Sequence, residues 1–118
     1  MKKLHPHELP LVSYLFAVAN ISDDPSELLV EPMADGGMGS LAIDRVNTAL
    51  RFGRCLAQCE FLDADGVKIE AALNCDTADR PMEVDVWKVN FAPIAQWPKR
   101  ADIRPLSSES LKPEARNS

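Results

Sequence analysis

Asp63-Ala64-Asp65-Gly66-Val67-Lys68-Ile69-Glu70-Ala71-Ala72-Leu73-Asn74 is the stretch whose reading decides the fold. Its first four residues are turn chemistry. Asp side chains bond their own backbone two residues on, and Gly adopts positive φ without steric cost. Val67, Ile69, Ala71 and Leu73 then alternate with Lys68, Glu70, Ala72 and Asn74. A period of two predicts a half-buried strand. A strand entered through a tight turn needs a partner just upstream. Residues 54–62, which fit helix or strand when read alone, are therefore expected to be a strand.

Working outward, a loop holding Asp76, Asp79 and Pro81 leads into Met82–Val89. Met82, Val84 and Val86 share one face with Lys88, and Glu83, Asp85, Trp87 and Val89 share the other. Three strands, roughly 54–62, 67–74 and 82–91, form a meander. Lys88 stands on the apolar face, so it is expected to reach solvent at the sheet edge or to pair with a buried carboxylate. Further upstream, residues 27–33 and 41–43 read as two more strands, and Pro32 keeps the first near an edge or an end. Between them, Asp35, Gly36, Gly37 and Gly39 read as a structural hairpin turn. Residues 44–53 read as a connection. Residues 7–20 read as a helix, with Leu9, Val12, Phe16 and Ala19 as an apolar stripe and Leu11 and Leu15 widening it. Pro10 sits in the first turn, where its missing N–H costs nothing, and Asn20 ends the helix.

The fold class is therefore α+β: an N-terminal helix on an antiparallel sheet of about five strands, one face covered and one partly solvated. Residues 1–98 are expected to form a single domain, and the polar residues 99–118 a weakly ordered tail. The 118-residue chain is 46% apolar and 26% charged, ordinary for one globular domain. It contains no run of about 18 apolar residues that would span a membrane. His5, His7, Glu8 and two prolines interrupt the segment that a signal peptide would need apolar. Cys55, Cys59 and Cys75 are sparse and odd in number, which fits buried reduced thiols in a cytoplasmic protein better than a disulfide framework.

Charge bounds the partners. Residues 1–98 carry eight Lys/Arg against fifteen Asp/Glu, a net −7, while residues 99–118 carry five against three. Clustered basic residues are what phosphate binding needs, so nucleic acid is not expected as a partner. A basic protein is compatible with the acidic body.

The chemistry-bearing patterns each compete with a structural reading. Asp35–Gly39 lacks the Lys of a P-loop and the G-x-G-x-x-G of a dinucleotide site. Asp63-x-Asp65-Gly66 resembles the start of a calcium loop, but Phe61 and Ala72 stand where that loop needs ligands. Cys55 and Cys59, four apart on a strand, would sit about 13 Å apart at about 3.3 Å per residue, too far to share a metal. The two His are both near the N-terminus, and no Ser or Cys lies in a nucleophile-elbow pattern. No metal, cofactor or catalytic residue is expected. Glu70, Glu83, Asp85 and Trp87 are expected on one solvent-facing side of the sheet, which reads as a plain solvated face, as a docking surface for a partner or as paired carboxylates for acid/base work; whether Glu60 joins them depends on register.

Three ordered blocks then resemble one family. They are Met33-Ala34-Asp35-Gly36-Gly37-Met38-Gly39-Ser40-Leu41, the block from Glu60-Phe61 through Asp63-x-Asp65-Gly66-Val67 to Asp76, and Glu83-Val84-Asp85-Val86-Trp87-Lys88-Val89-Asn90-Phe91-x-Pro93-Ile94. They are similar to a family of small bacterial proteins classed as a domain of unknown function, over roughly residues 4–98. The chain departs from that pattern at Asn90, where the family tends to carry Asp. The resemblance implies a shared fold and brings no activity or catalytic residues.

The leading functional expectation is a non-enzymatic, immunity-like interaction protein that offers an acidic sheet face to a basic protein. The alternative is a small enzyme or ligand binder with a carboxylate-lined pocket near the Asp35–Ser40 loop. A third reading is self-association through an exposed strand edge.

Overall fold

A helix of ten residues, α1 (Leu9–Val18), lies across a six-stranded sheet in the computed structural model, which describes residues 1–43 and 51–107. Pro10 occupies its first turn. Its C-terminus closes as the dihedral logic of Asn predicts: Asn20 takes φ 61°, the Asn20 N–H reaches Ala17 O, and the Ile21 N–H reaches Phe16 O. These two bonds are a Schellman cap, which satisfies carbonyls the helix leaves open. Leu11, Val12, Leu15 and Phe16 are buried by the packing of α1 on the sheet.

The strands are β1 (Lys2–Lys3), β2 (Leu29–Pro32), β3 (Leu41–Ile43), β4 (Phe52–Leu62), β5 (Lys68–Asp76) and β6 (Pro81–Lys88). Their spatial order is β1-β2-β3-β6-β5-β4, and every neighbouring pair is antiparallel. The meander of β4, β5 and β6 follows the period-two reading, with the strand assignment of 54–62 holding. The β2–β3 hairpin joins it through β3 on β6, where Leu41 faces Val84. The sixth strand, β1, is a two-residue addition whose length gives no sequence signal. Of the expected connection 44–53, residues 44–50 lie outside the described residues, and residues 52–53 belong to β4.

The core fills the helix side of the sheet. Ile69, Ala71 and Leu73 of β5 stand beside Val84 and Val86 of β6 and Ala57, Cys59 and Phe61 of β4. Two expectations are corrected here. First, β5 is not half-buried, because Glu70, Asn74 and Asp76 on its polar side are buried as well. Second, residues 99–107 are part of the folded body. A 3-10 turn at Arg100–Asp102 delivers Ile103 into the core, and Arg104 exchanges both backbone bonds with Glu60 on the outer edge of β4. Edge strands carry unpaired N–H and C=O groups, so a short polar segment that satisfies them is kept ordered despite its composition. Residues 108–118 lie outside the described residues.

Candidate functional site

Register brings the expected acidic residues together. Glu60, Glu70 and Trp87 form one row across β4, β5 and β6; Asp85 stands opposite Ala72 and Glu83 opposite Asn74. Glu70, Glu83, Asp85 and Trp87 thus share a side of the sheet, and Glu60 joins them. The solvent-facing part of the expectation is corrected. Glu70, Glu83 and Trp87 are only 6%, 7% and 6% exposed, and Asp85 is half-buried.

The reason is local electrostatics. Carboxylates directly opposite on neighbouring strands repel, so Glu60 and Glu70 need a shared counter-charge. Lys68 supplies it, with Nζ 3.2 Å from Glu60 and 3.8 Å from Glu70. Arg104 Nε adds 3.4 Å to Glu60, and Ser107 donates its N–H and its hydroxyl to the same carboxylate. The Ser107 N–H is the largest influence holding Glu60 below the usual carboxylate range, against the opposing effect of burial. Asn74 Nδ2 donates to Glu83 at 2.7 Å, and the Ser40 hydroxyl reaches Asp85 at 3.4 Å. These carboxylates hold the chain to itself.

A second network fixes the segment after β6. Lys88 Nζ lies 2.8 Å from both Asp63 and Asp65, so the lysine on the apolar face pairs with a buried carboxylate. Asp63 also accepts the N–H groups of Ala64, Ala95 and Gln96. Burial pushes the Asp63 carboxyl up, but these donors outweigh it and hold it down at about 2. The turn that resembles a calcium loop therefore carries an ammonium of its own chain.

The segment anchored in this way lies on the Asp35–Ser40 hairpin. Asp35 accepts the N–H groups of Met38 and Ser40, and Gly36, Gly37 and Gly39 all have positive φ. Ile94 N–H donates to Gly37 O at 3.0 Å. A methyl group on Gly39 would meet the Trp97 indole at 3.0 Å, and one on Gly37 would meet Pro93 at 3.2 Å. The turn residues expected from sequence form the hairpin, and their bareness also makes a seat for Pro93, Ile94 and Trp97.

Between this seat and the start of α1 lies a cavity of about 140 Å³, walled by Glu8, Met33, Asp35, Gly39, Ser40 and Trp97 among others. Glu8 is 7% exposed. Its Oε1 accepts the His5 N–H at 2.8 Å, and His7 Nε2 lies 4.0 Å from its Oε2. His7 stacks on His5 and tilts against Trp97. A larger cleft of about 430 Å³ on the other side of Trp97 includes Asp63, Asp102 and Arg104, but Asp63 is already bound by four donors and Arg104 by Glu60. Glu8 and Trp97 carry no motif, which is why sequence reasoning missed them; the packing of a bare glycine on an indole is visible only in three dimensions.

Among the described residues, no three His, Cys, Asp or Glu side chains stand close enough to hold a metal ion. Cys59 faces the core, and burial pushes its thiol up to about 12. A bulge between Cys55 and Ala57 turns Cys55 to the opposite, exposed side. No helix among the described residues is long and apolar enough to cross a membrane.

In comparison with known proteins, the family described as Domain of unknown function (DUF6984) matches residues 1–98. No curated protein and no solved structure matches the chain.

Proposed function

Since the chain belongs to the DUF6984 family, whose description carries no activity, we propose from its geometry that it is a binding protein whose recognition site is the cavity between the Asp35–Ser40 hairpin, Glu8 and Trp97. One observation carries this reading. A carboxylate more than nine-tenths buried stands in the wall of a concavity that also presents an indole, and one of its oxygens accepts no hydrogen bond from the described residues. Concave sites with a few convergent polar groups on an apolar lining are where proteins hold ligands. The three cysteines, none in a disulfide, support a reducing, cytoplasmic location. Screening a set of small polar compounds by amide-detected NMR tests the reading. Saturable shifts of the Gly37, Gly39 and Ser40 amides and the Trp97 indole are expected. Binding confined to other surfaces, or no binding, would refute it.

A second reading keeps the interaction protein. Phe91 is 60% exposed, holds a left-handed φ of 63° and stacks edge-on against Trp87, whose side of the sheet half-buried Asp85 shares. A bulky residue in that conformation is strained, and such strain gathers at functional positions. With the net −7 of residues 1–98, this corner suits a basic protein. Capture of a basic protein from native cells that is lost with Phe91→Ala, and weakened by salt, supports this reading. Equal capture by the variant argues against it.

A further inference from the structure

The cavity's chemistry narrows its ligand, and this step rests on the binding reading above. Glu8 and Asp35 bring two carboxylates to its wall, and among the described residues no Lys or Arg lines it. Asp35 already accepts two backbone N–H groups, so its remaining contribution is field rather than a vacant bond. Glu8 differs, because Oε2 lies 4.0 Å from the nearest His nitrogen, beyond hydrogen-bond reach. A carboxylate oxygen that accepts no hydrogen bond from the described residues, on a side chain otherwise withdrawn from solvent, favours a donor, and a charged donor most. The lining also includes Trp97, an aromatic of the kind that attracts cations, and Met33, which is soft and polarizable.

Size sets the rest. At about 30 Å³ for each water in the liquid, the volume takes about five non-hydrogen atoms. That is below the range of whole drug-like ligands, which starts at about 300 Å³. It matches one head group.

We propose that the cavity binds a single organic cation, a guanidinium or primary ammonium group, with Glu8 accepting its N–H and the Trp97 ring lying against it. The head group can belong to a small free amine or guanidine, or to an Arg or Lys side chain of a peptide. The chemistry at Glu8 and Trp97 is shared by both sources.

The test titrates the wild-type chain with methylguanidinium and methylammonium chlorides, neutral acetamide, sodium acetate, and N- and C-blocked arginine and lysine, following the Trp97 indole N–H by NMR. Saturable shifts with the cations and not with acetamide or acetate are expected. The free and blocked forms assign the source: blocked residues binding about tenfold more tightly points to a peptide, and the reverse to a free small molecule. Glu8→Gln, which keeps the shape and an acceptor for His5 N–H, is expected to weaken cation binding about tenfold. If acetamide or acetate shifts Trp97 as strongly as the cations do, the cation assignment is overturned and the binding site stands. If none of the probes shifts it, both fall. Because the comparison among probes uses wild-type protein, it holds even if Glu8→Gln proves unstable.

Discussion

Asp63 is the carboxylate on which the segment after β6 is anchored. It accepts Lys88 and three backbone N–H groups from two separate segments. Its pKa lies near 2 in the folded chain and about 3.9 in an unfolded one. A carboxyl depressed by folding contributes stability above its unfolded pKa and loses it as pH falls through the folded value. Unfolding by urea is therefore expected to need progressively less denaturant between about pH 4 and pH 2. In Asp63→Asn that dependence is expected to flatten. Asp63→Ala, which leaves three N–H groups and part of a buried ion pair unanswered, is expected to lose about 3 kcal/mol or more at neutral pH. A loss no larger than that of Asp65→Ala would show the burial of Asp63 to be incidental. Lys88 is held above its usual range by its bonds to Asp63 and Asp65 against the pull of desolvation. Its contribution is complete below the unfolded lysine value and declines only as pH rises beyond it. The three thiols divide in the same residue-by-residue way. At pH 8 a thiol reagent is expected to modify Cys55 in the native protein and Cys59 and Cys75 only after unfolding, because Cys59 is buried with its pKa near 12. Three equally fast thiols would contradict the core assigned to β4.

Among the elements, those legible in sequence are the ones whose signal is local. The Asp63–Gly66 turn, the alternation of β5 and β6, and the Leu11–Phe16 side of α1 each follow from a few neighbouring residues. Helix and strand periods differ enough that 54–62, though ambiguous by itself, was decided by the turn beside it. What was not legible depends on partners far apart in sequence. Burial of Glu70 and Glu83 follows from Lys68 and Asn74 lying across or along the sheet, which no composition reveals. A charged residue that alternates with apolar ones looks solvated until its counter-charge is placed. The candidate site is the extreme case: the Asp35–Gly39 turn could be read, but Glu8 and Trp97 come from opposite ends of the domain. The hairpin's glycines give a prediction at this scale. Gly39→Ala combines a φ of 108° with a 3.0 Å approach to the indole. It is expected to lower stability by about 1–3 kcal/mol and to displace Trp97, read as a shift in tryptophan emission. Gly36→Ala, which meets no atom within 4 Å, carries only the positive-φ cost. Equal effects of the two would remove the seat for Trp97 from the account.

At the scale of the whole molecule, the family match ends at residue 98 while the folded body continues through residue 107. The extra residues fill the core with Ile103, bridge the β4 edge at Arg104 and bond Glu60 through Ser107. A chain ending at 98 is expected to be about 2 kcal/mol or more less stable than one ending at 107, because it loses a buried isoleucine and opens an edge strand. Equal melting temperatures would mean that this segment only rests on the surface. The same view links fold to function. The Asp63–Lys88 network holds the 91–98 segment through Ala95 and Gln96, and the cavity exists because that segment lies against the hairpin. A crystal structure of the chain with methylguanidinium is the most direct measurement. The account predicts the guanidinium within hydrogen-bond distance of Glu8 Oε2 and against the Trp97 ring. Density for it at Asp85 and Phe91 instead, with the cavity between Glu8 and Trp97 holding none, would contradict the account.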